Sequence, residues 1–187
     1  LETYSETGFV SFQVVISSLS IFPDGKKIVG GWTDGTINCW DSETGLELWN
    51  AYGHNNYVND LKVFPDGTKI ITGCYDGSVK IFNADDGEEL REMSANDCEI
   101  SCVAVFTNGI AVISGDYGDA NRRERMEFGN YDIIDGTIRI WDTYSGDEWL
   151  SFSANSGRVT ALACIMPNGG DTHWIVSNQD GICEDRA

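Results

Sequence analysis

An all-β fold of four-stranded antiparallel meanders, set side by side as the blades of an incomplete β-propeller, is predicted by two features of this 187-residue sequence. The first is the stretch from Leu61 to Glu92, where three apolar runs alternate at the strand period of two between Asp66-Gly67, Asp76-Gly77 and Asp86-Gly87. Asp-Gly pairs accept the positive φ of tight hairpins, so the stretch reads as a meander whose short last strand begins near Glu89. The second is repetition. Pro23 and Pro65, Gly25 and Gly67, Asp34 and Asp76, Gly35 and Gly77, Trp40 and Phe82, and Gly45 and Gly87 are each 42 residues apart. That period belongs to propellers built from one meander per blade.

Taken in order, residues 1–13 contain Ser5-Glu6-Thr7-Gly8, a copy of Ser42-Glu43-Thr44-Gly45, and are expected to end a preceding blade or to supply a closing strand. The first full blade spans 14–53, with strands near 16–22, 27–32, 36–41 and 47–50, and the second spans 54–95. The third spans 96–154. There Gly77 to Gly136 is 59 residues, 42 plus 17, which places an insertion at 116–134 between its second and third strands. Residues 155–187 start a fourth blade that reaches Asp180-Gly181. Its outer half is expected to be missing, because Ile182 to Ala187 stands where a strand ending in Trp-Asp was due.

Gly53-His54, Phe-Pro-Asp-Gly at 22–25 and 64–67, Asp-Gly-Thr-Ile at 34–37 and 135–138, and Trp-Asp at 40–41 and 141–142 resemble WD-repeat β-propellers. The resemblance implies a larger, seven-bladed ring of which this chain is a fragment: about three full blades and parts of two, with the missing blades as natural partners. Ring closure protects strand edges, so the isolated piece is expected to be marginally stable or to aggregate.

The resemblance also implies a buried network joining a His before the first strand, a Ser or Thr in the second, the Asp of the following turn and a Trp in the third. Blade two supplies His54, Thr72 and Asp76, with Phe82 in the Trp place. Blade one supplies Asp34 and Trp40 but has Phe12 and Gly30, and blade three supplies Ser114, Asp135 and Trp141 with Asn96 for His. Partners of such propellers grip the loops leading into first strands and the turns after second strands. Matched by residue, those positions are Tyr57, Glu99 and Arg158, and Thr33, Tyr75, Ile134 and Gln179, with Tyr57, Tyr75 and Arg158 the best anchors by residue type.

Lys+Arg 12 against Asp+Glu 30 gives a formal charge of -18, which repels a nucleic-acid backbone and makes phosphate tracking an unsuitable function. No apolar run reaches the length of a bilayer-spanning helix, so no membrane partner is expected. Six cysteines, at 39, 74, 98, 102, 164 and 183, fall mostly inside predicted strands without paired spacing. They read as reduced, buried thiols of an intracellular, cytoplasmic-type protein. Neither Cys98 with Cys102 nor the distant pair His54 and His173 completes a zinc site, and the Asp-Gly turns lack a calcium ladder, so no metal or cofactor is expected.

The insertion gathers Arg122, Arg123 and Arg125 in an otherwise acidic chain, either to grip an acidic partner or to pair with the chain's own carboxylates. The function expected is non-catalytic: a scaffold for protein–protein interaction, working through the loop face and the insertion. Two alternatives stand beside it. Residues 34–49, with Thr-Gly followed by Trp, also resemble blades of quinoprotein dehydrogenases, and the propeller is compatible with being one domain of a multidomain protein. His54, Thr72 and Asp76 carry the residue types of a hydrolase triad, but their place in a repeated blade favours fixing register over catalysis.

Overall fold

The computed structural model describes residues 2–4, 10–94, 98–118, 124–125, 131–132, 136–154, 157–165, 173–178 and 183–186. β1 (Glu2–Tyr4) and β2 (Val10–Phe12) pair as an antiparallel ladder. Blade one is β3 (Ile16–Ile21), β4 (Lys27–Trp32), β5 (Thr36–Asp41) and β6 (Glu47–Tyr52), each strand bonded to the next. Blade two repeats the order with β7 (Val58–Val63), β8 (Lys69–Cys74), β9 (Ser78–Asn83) and β10 (Glu89–Ser94). In blade three, β11 (Ile100–Val105) and β12 (Ala111–Asp116) are followed by a short ladder of β13 (Glu124–Arg125) with β14 (Tyr131–Asp132). The meander then resumes as β15 (Thr137–Asp142) and β16 (Glu148–Ser153), with β15 on β12. In sequence β13 and β14 fall between the second and third strands of the blade, and the other residues of 119–135 are outside the described residues.

The fourth sheet holds β17 (Val159–Ile165), β18 (His173–Asn178) and β19 (Cys183–Arg186). The third strand expected to be missing forms against β18, with Trp174 opposite Arg186 and Ser177 opposite Cys183. Backbone pairing needs an extended neighbour, not a Trp-Asp signature.

Turn chemistry makes the meanders. Asp24, Asp66 and Asn108 each accept the backbone N–H two residues on, at 3.0, 2.9 and 3.1 Å. The glycines beside them, Gly25, Gly67 and Gly109, share φ of 73, 71 and 70°, a region closed to most side chains. The Asp of each Trp-Asp pair ties the next turn: Asp41 accepts Thr44 N–H and Asp142 accepts Ser145 N–H, both at 2.7 Å. Cross-strand pairs recur at one register of the outer strands, as Asn38 with Glu47 at 2.8 Å, Lys80 with Glu89 at 2.9 Å and Arg139 with Glu148 at 3.1 Å.

The core is a series of seams between blades. Phe22, Val29, Ile37 and Cys39 of blade one close on Val58, Leu61, Ile70 and Phe82 of blade two. Phe64, Ile71 and Val79 close on Ile100, Val103 and Trp141, and Ala104, Ile113 and Ile138 close on Val159 and Leu162. Trp40, Phe82 and Trp141 face Ile28, Ile70 and Val112 across their ladders, one equivalent place in three successive sheets. Close approach depends on glycine: a Cβ at Gly31, Gly73 or Gly115 would run into Val58, Ile100 or Val159 of the next blade. First strands are also bridged, since Asp60 accepts from Ser18 Oγ at 3.0 Å, Lys62 Nζ at 2.6 Å and Val103 N–H at 3.1 Å.

Repetition exposes what each seam contributes. Leu61 and Val103 are 0% exposed against the blade before them, whereas Leu19, their counterpart in blade one, is 57% exposed. Burying a leucine side chain contributes roughly 1.5–3 kcal/mol, so blade one has an unspent apolar face.

Candidate protein-interaction face

One backbone hydrogen bond per blade ties the residue leading into the first strand to the residue just past the second. Thr33 N–H donates to the Val15 carbonyl at 3.0 Å, Tyr75 to Tyr57 at 2.9 Å and Tyr117 to Glu99 at 3.0 Å. The two side chains of each pair therefore emerge together at one end of the blade. Tyr57 and Tyr75 lie with ring centroids 5.8 Å apart, tilted by 58°, and stay 43% and 42% exposed. The pKa of Tyr75 is raised by its hydroxyl's interaction with the Glu99 carboxylate, as hydrogen-bond acceptor and then as negative charge. In the next step around the rim the Arg158 guanidinium lies over the Tyr117 ring, 5.1 Å from its centroid. The rim is thus an arc of Tyr57, Tyr75, Glu99, Tyr117 and Arg158 in which each turn residue meets the approach residue of the blade that follows.

Four of the residues singled out from sequence, Tyr57, Tyr75, Glu99 and Arg158, fall on this arc. Thr33 lies at its start, where Thr33 Oγ1 accepts Val15 N–H at 3.1 Å. Ile134 and Gln179 are outside the described residues. Tyr117, which the sequence reading missed, makes the backbone bond that defines the turn position in blade three. A signal for it existed, since Tyr117 follows Tyr75 by 42 residues.

Beneath the rim, His54 is held between two hydroxyls, with Nδ1 3.0 Å from Ser78 Oγ and Nε2 2.7 Å from Thr72 Oγ1. Ser78 Oγ donates in turn to Asp76 Oδ1 at 2.6 Å. The aspartate expected beside the imidazole reaches it through Ser78, a link the sequence reading omitted. Burial lowers the His54 pKa to about 4, so the ring is neutral at pH 7. Burial pushes the Asp76 pKa up, but hydrogen bonds from the Ser78 hydroxyl and N–H outweigh it and the net shift is downward. Phe82 meets the His54 ring in a T-shaped contact, centroids 6.2 Å apart, in place of an indole N–H. In blade three Trp141 Nε1 donates to Ser114 Oγ at 2.9 Å, the joint that Phe82 cannot make with Thr72. In blade one a Cβ at Gly30 would stand 3.0 Å from the Trp40 ring, so the indole fills the space a Ser or Thr side chain would take. Asp34 accepts Thr36 N–H at 3.0 Å and Thr36 Oγ1 at 2.6 Å, a turn without a histidine partner.

The corresponding carboxylate of blade three is Asp116, another residue the sequence reading missed; Asp135 and Asn96 lie outside the described residues. Asp116 is 1% exposed. Its Oδ1 accepts Gly118 N–H at 2.9 Å and Thr137 N–H at 2.7 Å, and Arg139 Nη1 reaches its Oδ2 at 3.1 Å. One carboxylate thereby fastens the strand that leaves for the insertion to the strand that returns. Arg125 belongs to the short ladder within the insertion, while Arg122 and Arg123 are outside the described residues.

The family model described as "WD domain, G-beta repeat" matches residues 8–41, 46–83 and 87–142, more than half of the chain. The chain belongs to the WD-repeat family. Among solved structures it is similar to one titled "Crystal structure of the computationally designed Ika4 protein", at 26% identity and a TM-score of 0.72, covering 94% of this chain and 92% of that one. No curated protein matches significantly.

As a WD-repeat protein the chain keeps its polar network in pieces, which bears on chemistry. Thr72 is fully buried and His54 is 2% exposed, so the triad-like hydroxyl is closed to substrate and Ser78 separates base from acid. The only described group of residues that could hold a metal is His54, Cys74 and Asp76, with ligand atoms within 4.8 Å of one another. Both His54 nitrogens already face hydroxyls, and burial pushes the Cys74 thiol up to about 12, so no thiolate is offered at pH 7. This set fits a hydrogen-bonded brace better than a coordination sphere. No helix among the described residues is long and apolar enough to cross a membrane.

Proposed function

We propose that this WD-repeat chain is a non-catalytic platform that brings other proteins together by docking them on its loop rim. WD repeats generally mediate protein–protein interaction, and the observation that supports this reading here is the exposed arc of Tyr57, Tyr75, Glu99, Tyr117 and Arg158. Tyrosine and arginine dominate binding energy where interfaces have been dissected, because they bring large area and directional polar groups at modest entropic cost. The rim stands on backbone hydrogen bonds between strand ends and not on free loops, so partners meet a preorganised surface. Thr33 extends the same rim, the sequence match adds Gln179 as a candidate contact, and Arg122, Arg123 and Arg125 are proposed as a second grip for an acidic partner.

The exposed apolar face of blade one, with Leu19 open where Leu61 is buried, favours a further blade of the same kind as its natural cover. The setting is proposed to be intracellular. The test is affinity capture with the full chain against a Tyr57→Ala, Tyr75→Ala, Arg158→Ala triple variant whose fold is checked by circular dichroism. Partners retained by the wild type and lost by the variant are expected; an identical captured set would remove the rim from the function.

A further inference from the structure

Within the docking rim, the corner formed by Tyr57, Tyr75 and Glu99 has a chemistry of its own. Two phenol rings, each more than two-fifths exposed, meet at a tilt of 58°, and the hydroxyl of one of them, Tyr75, interacts with the Glu99 carboxylate. Ring faces carry negative potential and attract cations, an attraction that strengthens where a carboxylate and partial desolvation assist. At the next corner the chain itself sets a guanidinium on a rim tyrosine, Arg158 over the Tyr117 ring. Among the described residues no cation of the chain stands over Tyr57 or Tyr75; the lysines that do meet rings meet Phe22, Phe64 and Tyr144. The formal charge of -18 adds a long-range field that draws basic partners.

We propose that the Tyr57–Tyr75–Glu99 corner receives an arginine side chain from a basic segment of a docked protein. A guanidinium can stack flat on a phenol ring and present its edge to the Glu99 carboxylate at the same time, which a compact ammonium cannot do as well. This assignment rests on the docking-platform reading and deepens it: one partner presents arginine at the junction of blades two and three.

The experiment titrates the full chain with a capped peptide of arginines spaced by glycine and serine, followed by calorimetry. The same peptide with citrulline, and the same with lysine, serve as comparisons. The arginine peptide is expected to bind saturably, the lysine peptide more weakly and the citrulline peptide least. Tyr57→Ala and Tyr75→Ala are each expected to weaken arginine-peptide binding by about tenfold, with Glu99→Gln in the same direction. Both tyrosines are exposed and meet each other at the surface, so the variants should melt within a few degrees of the wild type. Equal binding by wild type and the tyrosine variants, equal binding of citrulline and arginine peptides, or no saturable binding of the arginine peptide would each overturn the proposal. Captured partners still lost from the rim variant, with no arginine-peptide binding, would sink the cation assignment and leave the platform standing.

Discussion

His54 makes the stability of blade two depend on pH in a calculable direction. In the unfolded chain the imidazole titrates near its ordinary 6.5, whereas in the fold burial holds it down to about 4. The unfolded state therefore takes up the proton first as the pH falls. The contribution is fully present above about pH 6.5 and is lost progressively down to about pH 4. Between pH 7 and pH 5 the linkage relation gives a loss of about 2 kcal/mol, or about 4–8 °C in Tm for a chain of this size. The carboxylates held below their ordinary 3.8, Asp41, Asp66, Asp76 and Asp142, lose their contribution at lower pH and leave this window nearly clear. The measurement is urea unfolding at pH 7 and pH 5, at fixed ionic strength, for wild type and His54→Gln. Glutamine hydrogen-bonds one of the flanking hydroxyls but does not titrate. The variant is expected to be less stable at pH 7 and to lose about 2 kcal/mol less than wild type on going to pH 5. The same pH dependence in both proteins, or a wild type that gains stability as the pH drops, would show that His54 is not the buried neutral base described above.

Two further outcomes test the seams and the insertion base. Leu61→Ala removes a fully buried side chain between blades one and two and should cost about 2–5 kcal/mol in urea unfolding, while Leu19→Ala at the equivalent, 57% exposed place should stay within about 0.5 kcal/mol. Equal costs would mean that blade one is covered in solution by something that the described residues do not include. Asp116→Asn should cost about 2–3 kcal/mol by leaving Arg139 facing a neutral partner, somewhat less than a fully broken buried pair because Glu148 still lies 3.1 Å from its Nε. A double-mutant cycle with Arg139→Met reads the coupling, and additivity of the two changes would refute the ion-pair argument.

Local chemistry made most of the fold legible before any coordinates. The turns at Asp66-Gly67 and Asp76-Gly77, the two-residue alternation and the 42-residue spacing are decided within a hairpin, and the strands formed where those signals put them. What could not be read depends on neighbours distant in sequence. Gly31, Gly73 and Gly115 repeat visibly at the same period, yet their reason appears only when Val58, Ile100 and Val159 are seen against them. Counting back from Gly136 put the turn residues of blade three at Ile134 and Asp135. The structure carries β12 uninterrupted to Asp116, so the insertion leaves after Tyr117 and the rim position stays with β12. Ser78 was overlooked for a related reason: a hydroxyl following Asp-Gly looks like ordinary turn chemistry until His54 closes on it from 24 residues away.

The two inner blades fasten the same junction by different chemistry, and that difference explains how an insertion can interrupt a blade without breaking its rim. In blade two the junction between second and third strands is short, and a neutral His54 relays through Ser78 to Asp76 while also holding Thr72. In blade three 17 additional residues separate the second strand from the third, so the single tight turn on which that relay depends is replaced by a longer connection. A carboxylate moved onto the end of the second strand solves this. Asp116 holds Gly118 as the chain leaves and Thr137 as it returns, and the Arg139 guanidinium, itself paired to Glu148 on the outer strand, balances its charge. Tyr117 sits between Asp116 and Gly118, the two ends of one of these bonds, and its ring lies under Arg158. The arc of Tyr57, Tyr75, Glu99, Tyr117 and Arg158 can therefore continue across a blade whose second and third strands are joined by the longer connection.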